Sequence, residues 1–396
     1  MAEPSGPPRP GAAFREGWHR EIRFLQSSFW DRALVGWIPL LLMAVMAIQL
    51  SAGVMRDLPI AVVDQDGGAT ARELVRRLDA APGLRVVARP PDMHAAERLV
   101  RSRDAYAILL IPRDTQRTVL RGQTASLTVF YNASYSTASG AAVREIGAVV
   151  QSYAVQLAKD QIATIEPGKV RPPPITAQTT ILFNPQGSYE LQLVALIHPA
   201  LLHLIFMVAV ASALGRELRD GTIGGWLGGM PPPSAVAAIA GKVAVYIVAF
   251  MAWSAVATGY LAEVRGWPVL GSPLMLFAGY AAMYLAYASV ALLVTGLTLS
   301  MSKTLSMTGL YAGASFAFAG AIFPIESASL FARLWSALLP YTAFAKLLAE
   351  QWMMGSPAAA SWPHIAIMLI FLVVGAGIGF PRYIAAATTP AVWGCR

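Results

Sequence analysis

Few stretches of this chain carry side chains suited to chemistry. The most charged part of the second half is Gly215-Arg216-Glu217-Leu218-Arg219-Asp220-Gly221-Thr222, which closes a long apolar run. It leads into Ile223-Gly224-Gly225-Trp226-Leu227-Gly228-Gly229-Met230-Pro231, which has no charge. An apolar patch exposed where the chain meets water invites a protein partner. The alternative is a helix lying on a membrane, anchored by Trp226. Gly241-Lys242 is not a phosphate loop, because Val243 stands where Ser or Thr is required and the upstream glycine is missing. His198 and His203 sit in apolar sequence but are five apart, so they do not share a helix face. Each reads as a satisfied or cavity-facing histidine rather than a proton relay, since ion-coupled pumps hold chains of such groups at depth. Asp64-Gln65-Asp66 has the D-x-D form that can hold Mg²⁺ after a strand. Gly67-Gly68-Ala69 follows with no lysine or second acidic pair, so turn and helix-cap work is the reading. Asn132-Ala133-Ser134 fits a glycosylation acceptor, a pattern common by chance. Cys395 is the single cysteine, which excludes an intrachain disulfide and a cysteine-based metal site.

The elements that would position these residues follow from the order of the apolar runs. One run covers 33–55. About 130 mixed residues follow, and then runs at 191–214, 234–262, 273–300, 304–323 and 364–380. Each approaches the roughly 20 residues needed to cross a hydrocarbon layer about 30 Å thick. The chain is 56% hydrophobic and 13% charged, against about 25% charged for soluble proteins. The net charge of +8 comes without a Lys/Arg block or stacking aromatics, so nucleic-acid binding is not implied. About 30 polar residues precede the first run, which therefore reads as an uncleaved anchor.

The first twelve residues are rich in Pro and Gly. Over 13–32, Phe14, Trp18, Ile22, Leu25 and Phe29 fall at helical spacing between arginines. That pattern predicts a basic amphipathic helix in the membrane interface, or one packed on a partner protein. Arg9, Arg15, Arg20, Arg23 and Arg32 precede the first span, and Arg216, Arg219, Lys303 and Arg382 fall on the same side, which places both termini in the cytoplasm. Trp267 is then an interface anchor on the outside. The segment 324–354 is apolar but broken by Pro324 and Pro340, and reads as a hairpin dipping into the outer leaflet.

The region 56–189 alternates. Strands are expected at 58–64, 84–88, 105–111 and 126–131. Helices are expected at 69–80, 92–101 with Asp92 as N-cap, 113–121 ended by Gly122, and 137–165, beyond which Pro172-Pro173-Pro174 forbids continuation. This is an α/β domain large enough to bury its own core.

The order of motifs resembles a permease subunit of a type-2 ABC exporter, of the bacterial multidrug-efflux-like subgroup with a large periplasmic domain after the first span. The motifs are Arg216-Glu217, Gly221-Thr222, Pro231 and Gly241-Lys242. Others are Asp64-Gln65-Asp66 with Ala71-Arg72-Glu73-Leu74, Ile111-Pro112 with Leu120-Arg121-Gly122, Phe183-Asn184-Pro185, Phe323-Pro324 and Leu339-Pro340. The resemblance implies an α-helical integral membrane protein with six transmembrane helices plus an α/β extracytoplasmic domain inserted between spans 1 and 2. The parts are a tail and amphipathic helix (1–32), a first span (33–55), the outside domain (56–189), a five-helix region (190–383) with coupling loop 215–233 and outer hairpin 324–354, and a cytoplasmic tail (384–396).

It further implies an ATP-driven exporter subunit in the bacterial inner membrane, dimerising with a second permease subunit. No ATPase site is expected on this chain; ATP and Mg would be on separate ATP-binding subunits. A periplasmic adaptor protein is a further partner of such systems. Arg216, Glu217, Gly221, Thr222, Ile223, Trp226 and Leu227 would couple to the ATPase, and Phe323, Pro324 and Pro340 would form the outer hairpin. Two departures stand out. Gly224 and Gly225 occupy positions where the family often has an acidic residue, and each glycine weakens a helix by about 1 kcal/mol, so a partner's surface is expected to order this one. Glu350 and Gln351 stand where a basic residue is usual. The alternatives are a membrane-anchored sensor or scaffold with an outside binding domain, and an ion-coupled transporter.

Overall fold

The computed structural model describes residues 8–49, 55–132, 135–164, 188, 190–320 and 325–394. Pro172-Pro173-Pro174, Phe183-Asn184-Pro185, Phe323-Pro324, Ala133-Ser134 and Cys395 lie outside the described residues. The chain divides into two compact units, one of Met1–Ser51 with Glu190–Arg396 and the other of Ala52–Tyr189. The first opens with three helices, α1 (Pro10–Ser27), α2 (Phe29–Val35) and α3 (Trp37–Gln49). Pro10 starts α1, where its missing N–H costs nothing. Ser28 separates α1 from α2, its hydroxyl accepting from Asp31 N–H. That cap is why the candidate membrane-crossing helix begins at Phe29 and not at residue 33; it runs to Gln49.

The second unit follows the order β1 (Leu58–Asp64), α4 (Ala69–Asp79), β2 (Leu84–Ala88), α5 (Met93–Arg101), β3 (Ala107–Ile111), α6 (Thr115–Leu120), β4 (Thr128–Tyr131) and α7 (Ser136–Thr164). The sheet order is β2-β1-β3-β4, with β1 parallel to both neighbours and β4 antiparallel to β3. A parallel central strand is covered on both faces, and β1 is buried along most of its length. Alternation divides its side chains. Ile60 and Val62 join Leu74, Leu78 and Ile146 of α4 and α7, while Ala61 and Val63 join Ala96 of α5. Asp92 caps α5 by accepting from Ala95 N–H at 2.7 Å. Asp64 does turn work, its Oδ1 accepting from the N–H groups of Asp66 and Gly67 at 2.9 Å each.

The first unit resumes with α8 (Ala195–Arg219), α9 (Ile223–Leu227), α10 (Pro232–Gly259), α11 (Pro273–Thr298), α12 (Met301–Gly313), α13 (Ser315–Phe318), α14 (Leu330–Ala337), α15 (Pro340–Leu348) and α16 (Ala358–Ala386). Among the described residues, five helices are long and apolar enough to cross a membrane: Phe29–Gln49, Ala195–Arg219, Pro232–Val264, Pro273–Thr298 and Ala358–Ala386. The run at 304–323 is built differently, as α12 and α13 with a break at Ala314. Ser315 Oγ donates back to Tyr311 O beside Gly313, the kind of local competition that bends a helix.

Small residues set the packing. A Cβ on Gly215 would meet Met301 of α12 at 3.0 Å, and one on Gly375 would meet Ser289 of α11 at 2.7 Å. Gly279, Ala282 and Ala286 of α11 also face inward, whereas Gly309 and Gly313 of α12 have open space beside them.

Candidate functional site

The site forms where α1 crosses α10. A Cβ on Gly17 would stand 2.0 Å from Ala238 O, and one on Gly241 would stand 2.0 Å from Phe14 O. Only glycine permits this backbone-to-backbone approach. The buried face of α1 is Ala13, Gly17 and Glu21, spaced four apart. The crossing therefore carries Glu21 to Lys242, the residue after Gly241. The predicted amphipathic helix is present, but its packed stripe is this small-residue face. Phe14 on the apolar stripe is left exposed, and Trp18 and Ile22 are half-buried.

Lys242 Nζ stands 2.8 Å from Glu21 Oε2 and 2.6 Å from Glu217 Oε1. Arg216, at the end of α8, pairs with Glu21 through Nη2 and with Asp31 through Nη1 at 3.4 Å. Arg20 Nη2 donates to Glu217 Oε2 at 2.8 Å and its Nε to Oε1 at 3.2 Å. Thr222 Oγ1 also donates to Glu217, and Tyr246 OH donates to Glu21. Arg20, Arg216 and Lys242 thus face Glu21, Asp31 and Glu217, three cations against three anions. Glu21 is 0%, Lys242 1% and Arg216 4% exposed. Burial this deep is tolerable only because each buried charge stands against an opposite one. Burial pushes the Glu21 carboxyl up, but Lys242 and Arg216 more than offset this and hold it below the usual carboxylate range.

The segment after α8 turns on Gly221, whose φ of +66° is left-handed. It then forms α9, which lies against the charge cluster. Lys242 Nζ stands 5.0 Å and Arg20 Cζ 5.5 Å from the Trp226 ring centroid, so two cations face one indole.

The expectation of an exposed apolar patch at 223–231 is corrected here. Ile223, Trp226 and Leu227 are all buried in the chain's own core. The exposed edge is Gly225, Gly228 and Gly229, followed by Pro232 and Pro233. The apolar side chains turn inward because an ion cluster with aliphatic and aromatic walls needs cover. Periodicity over five residues could not show which way they faced.

Arg216, Glu217, Thr222 and Trp226 are therefore brought together, with Gly221 making the turn. The sequence reading missed Glu21, Asp31 and Tyr246, and used Arg20 only as an orienting charge. A usable signal was present, since Ala13-x-x-x-Gly17-x-x-x-Glu21 places a carboxylate on a small-residue stripe. Pro340 lies elsewhere, at the first position of α15, where it is buried; Phe323 and Pro324 lie outside the described residues.

At the other end of α8, Glu190 accepts from Arg265 Nη2 and from Trp267 Nε1, both at 3.0 Å. Glu350 pairs with His364 at 3.0 Å, and Gln351 accepts from Ser272 N–H at 2.9 Å and donates to Ser361 at 2.8 Å. The two departures at 350–351 thus tie the turn after α15 to the starts of α11 and α16. His203 stacks on Tyr341 at 4.8 Å and its Nδ1 pairs with Pro199 O, whereas His198 is buried with neither ring nitrogen hydrogen-bonded among the described residues.

No curated protein matches the chain. A family model described as an ABC-2 family transporter protein matches residues 33–380, most of its length, including Arg216, Glu217, Trp226 and Lys242 but not α1. With the buried ion cluster at the end of its apolar helices, the chain belongs to the ABC-2 transporter family as a multi-pass membrane permease.

Proposed function

We propose that this chain is the membrane-spanning permease subunit of an ATP-driven exporter, powered by separate ATP-binding subunits that dock at the α8–α9–α10 end. The observation that carries this is the convergence of the buried Arg216, Glu217, Trp226 and Lys242, with Thr222 at their edge, in one cluster around α9. A force applied to the exposed edge of α9 reaches α8 through Glu217 and α10 through Lys242, and α1 through Arg20 and Glu21. Ion pairs and close glycine contacts resist being stretched independently, so these helices move as one body. ATP and Mg²⁺ belong to the partner, since Gly241-Lys242 is committed to helix crossing and ion pairing.

In this reading α12 and α13 together make a further crossing, giving six, and α14–α15 form the outer hairpin. The α/β unit is extracytoplasmic, the segments before α2 and after α16 are cytoplasmic, and the membrane is a bacterial inner membrane. Two permease copies enclose the path, and an adaptor meets the α/β unit. The test is co-purification with an ATP-binding subunit. Trp226→Ala weakens that association or uncouples export; an unchanged complex with unchanged export refutes the role. Reporter fusions within 223–231 report the cytoplasmic side, and the opposite result refutes the orientation.

A further inference from the structure

After α16 ends at Ala386, the chain doubles back through the short turn Pro390–Val392 and lays Trp393 against α9. The contact falls on Gly224. A Cβ there would stand 2.2 Å from Cη2 and 2.5 Å from Cζ2 of the Trp393 ring. Any other residue at 224 would have to displace the indole. Trp393 Nε1 donates to Ala386 O at 2.8 Å, which orients the ring from the end of its own helix and turns the benzo edge toward α9. The next N–H, that of Gly394, donates to Leu218 O at 3.0 Å. Leu218 lies in the last turn of α8, and its carbonyl accepts from Gly221 N–H at 3.2 Å as well as from Gly394. One short segment therefore holds the end of α8 and the first turn of α9 together.

This accounts for one of the two glycines of α9, Gly224, whereas Gly225 meets nothing and lies on the exposed edge. A five-residue helix with Gly224 and Gly225 in it cannot hold itself. Gly224 is the position that admits the indole, so what the helix loses in propensity it recovers in packing from within the chain.

We infer that Trp393 is a positioning residue that orders α9, keeping Ile223, Trp226 and Leu227 buried and the glycine edge presented before any partner arrives. Trp393 lies beyond residues 33–380, so the family match does not assign this role. Its functional consequence rests on the docking reading above; the bracing itself does not.

The test is amide hydrogen exchange on the full chain in detergent or nanodiscs, read at Trp226 and Gly228. Their N–H groups donate to Thr222 O at 3.1 Å and Gly224 O at 2.9 Å. Trp393→Ala raises exchange at both by about fivefold or more, the change expected when a local brace is lost. Gly224→Ala alone does the same, because methyl and indole cannot share the space. The double variant Gly224→Ala/Trp393→Ala moves back toward wild-type protection, since the methyl enters the vacated room and alanine favours helix over glycine. That reversal of sign is not produced by general destabilisation. Unchanged exchange in both single variants, or further loss in the double variant, overturns the brace.

Association with the ATP-binding subunit supplies the second readout: it weakens in each single variant and recovers in the double. If exchange follows the pattern and association does not, the positioning role is overturned. If Trp226→Ala also leaves association unchanged, the docking reading has failed instead.

Discussion

The two ends of α8 handle charge in opposite ways. At its end near Arg219, Glu21, Arg216, Glu217 and Lys242 from α1, α8 and α10 form a core no more than 5% exposed, with Arg20 at 35% and Asp31 at 21% on its rim. At its beginning, Glu190 is buried but Arg265 is 27% exposed, and Glu350, 25% exposed, pairs with a half-buried His364. The second arrangement is a set of part-wetted hydrogen bonds that tether loops and helix starts. The first has a closed core of two cations and two anions that welds three helices. A closed cluster transmits displacement, because separating any pair leaves a charge without solvent, whereas a wetted tether can exchange partners with water. The ends of one helix can therefore be stiff and compliant at once.

This contrast can be broken most directly at Lys242. Lys242→Met leaves Glu21 and Glu217 without their shared cation and is expected to destabilise the bundle by about 3–5 kcal/mol in denaturant unfolding in detergent. A loss no larger than that from breaking the Glu190 end would erase the distinction. Gly241→Ala probes the crossing that builds the cluster; pushing α1 from α10 costs about 1–3 kcal/mol by the same measurement, with α1 amides exchanging faster. At the other end, Glu190→Gln is expected to cost only about 1 kcal/mol, because solvent reaches Arg265 and screens the lost pair.

Acid provides the finest test. The Glu21 carboxyl titrates below its unfolded value near 4.3. Its contribution to stability is therefore complete above that value and disappears as pH falls through the folded one. Unfolding followed against pH should show no change from this group near neutrality and a loss in acid that Glu21→Gln abolishes.

Local rules were readable in the α/β unit. The bounds 58–64 and 84–88 coincide with β1 and β2, and Asp92 caps α5 as its type and position suggest. The membrane helices were readable from length and hydropathy, apart from 304–323, where the break at Ala314 comes from Ser315 bonding to Tyr311 and Tyr287. The candidate site was readable in halves. Arg216-Glu217 and Gly241-Lys242 were visible as motifs, but nothing in their spacing showed that Lys242 bonds Glu217 or that Gly241 exists to admit Phe14 O. Ile223, Trp226 and Leu227 were read as facing water and face the core, because the cations that attract Trp226 come from two other helices.

What the amino-acid order determined by itself was the sequence of apolar runs, the alternation in the α/β unit and the places where the chain turns. These depend on properties of neighbouring residues: hydropathy summed over one helix, a cap three residues away, a glycine at positive φ. Only the tertiary structure decided which charges are neutralised, which face of α9 is presented and why Gly224 is glycine. Those outcomes depend on partners nearly 200 residues apart, Glu21 with Arg216 and Arg20 with Glu217, or on Trp393 returning from beyond the last helix. A buried ion is stable or ruinous according to what stands within about 4 Å of it, and distance along the chain does not encode that.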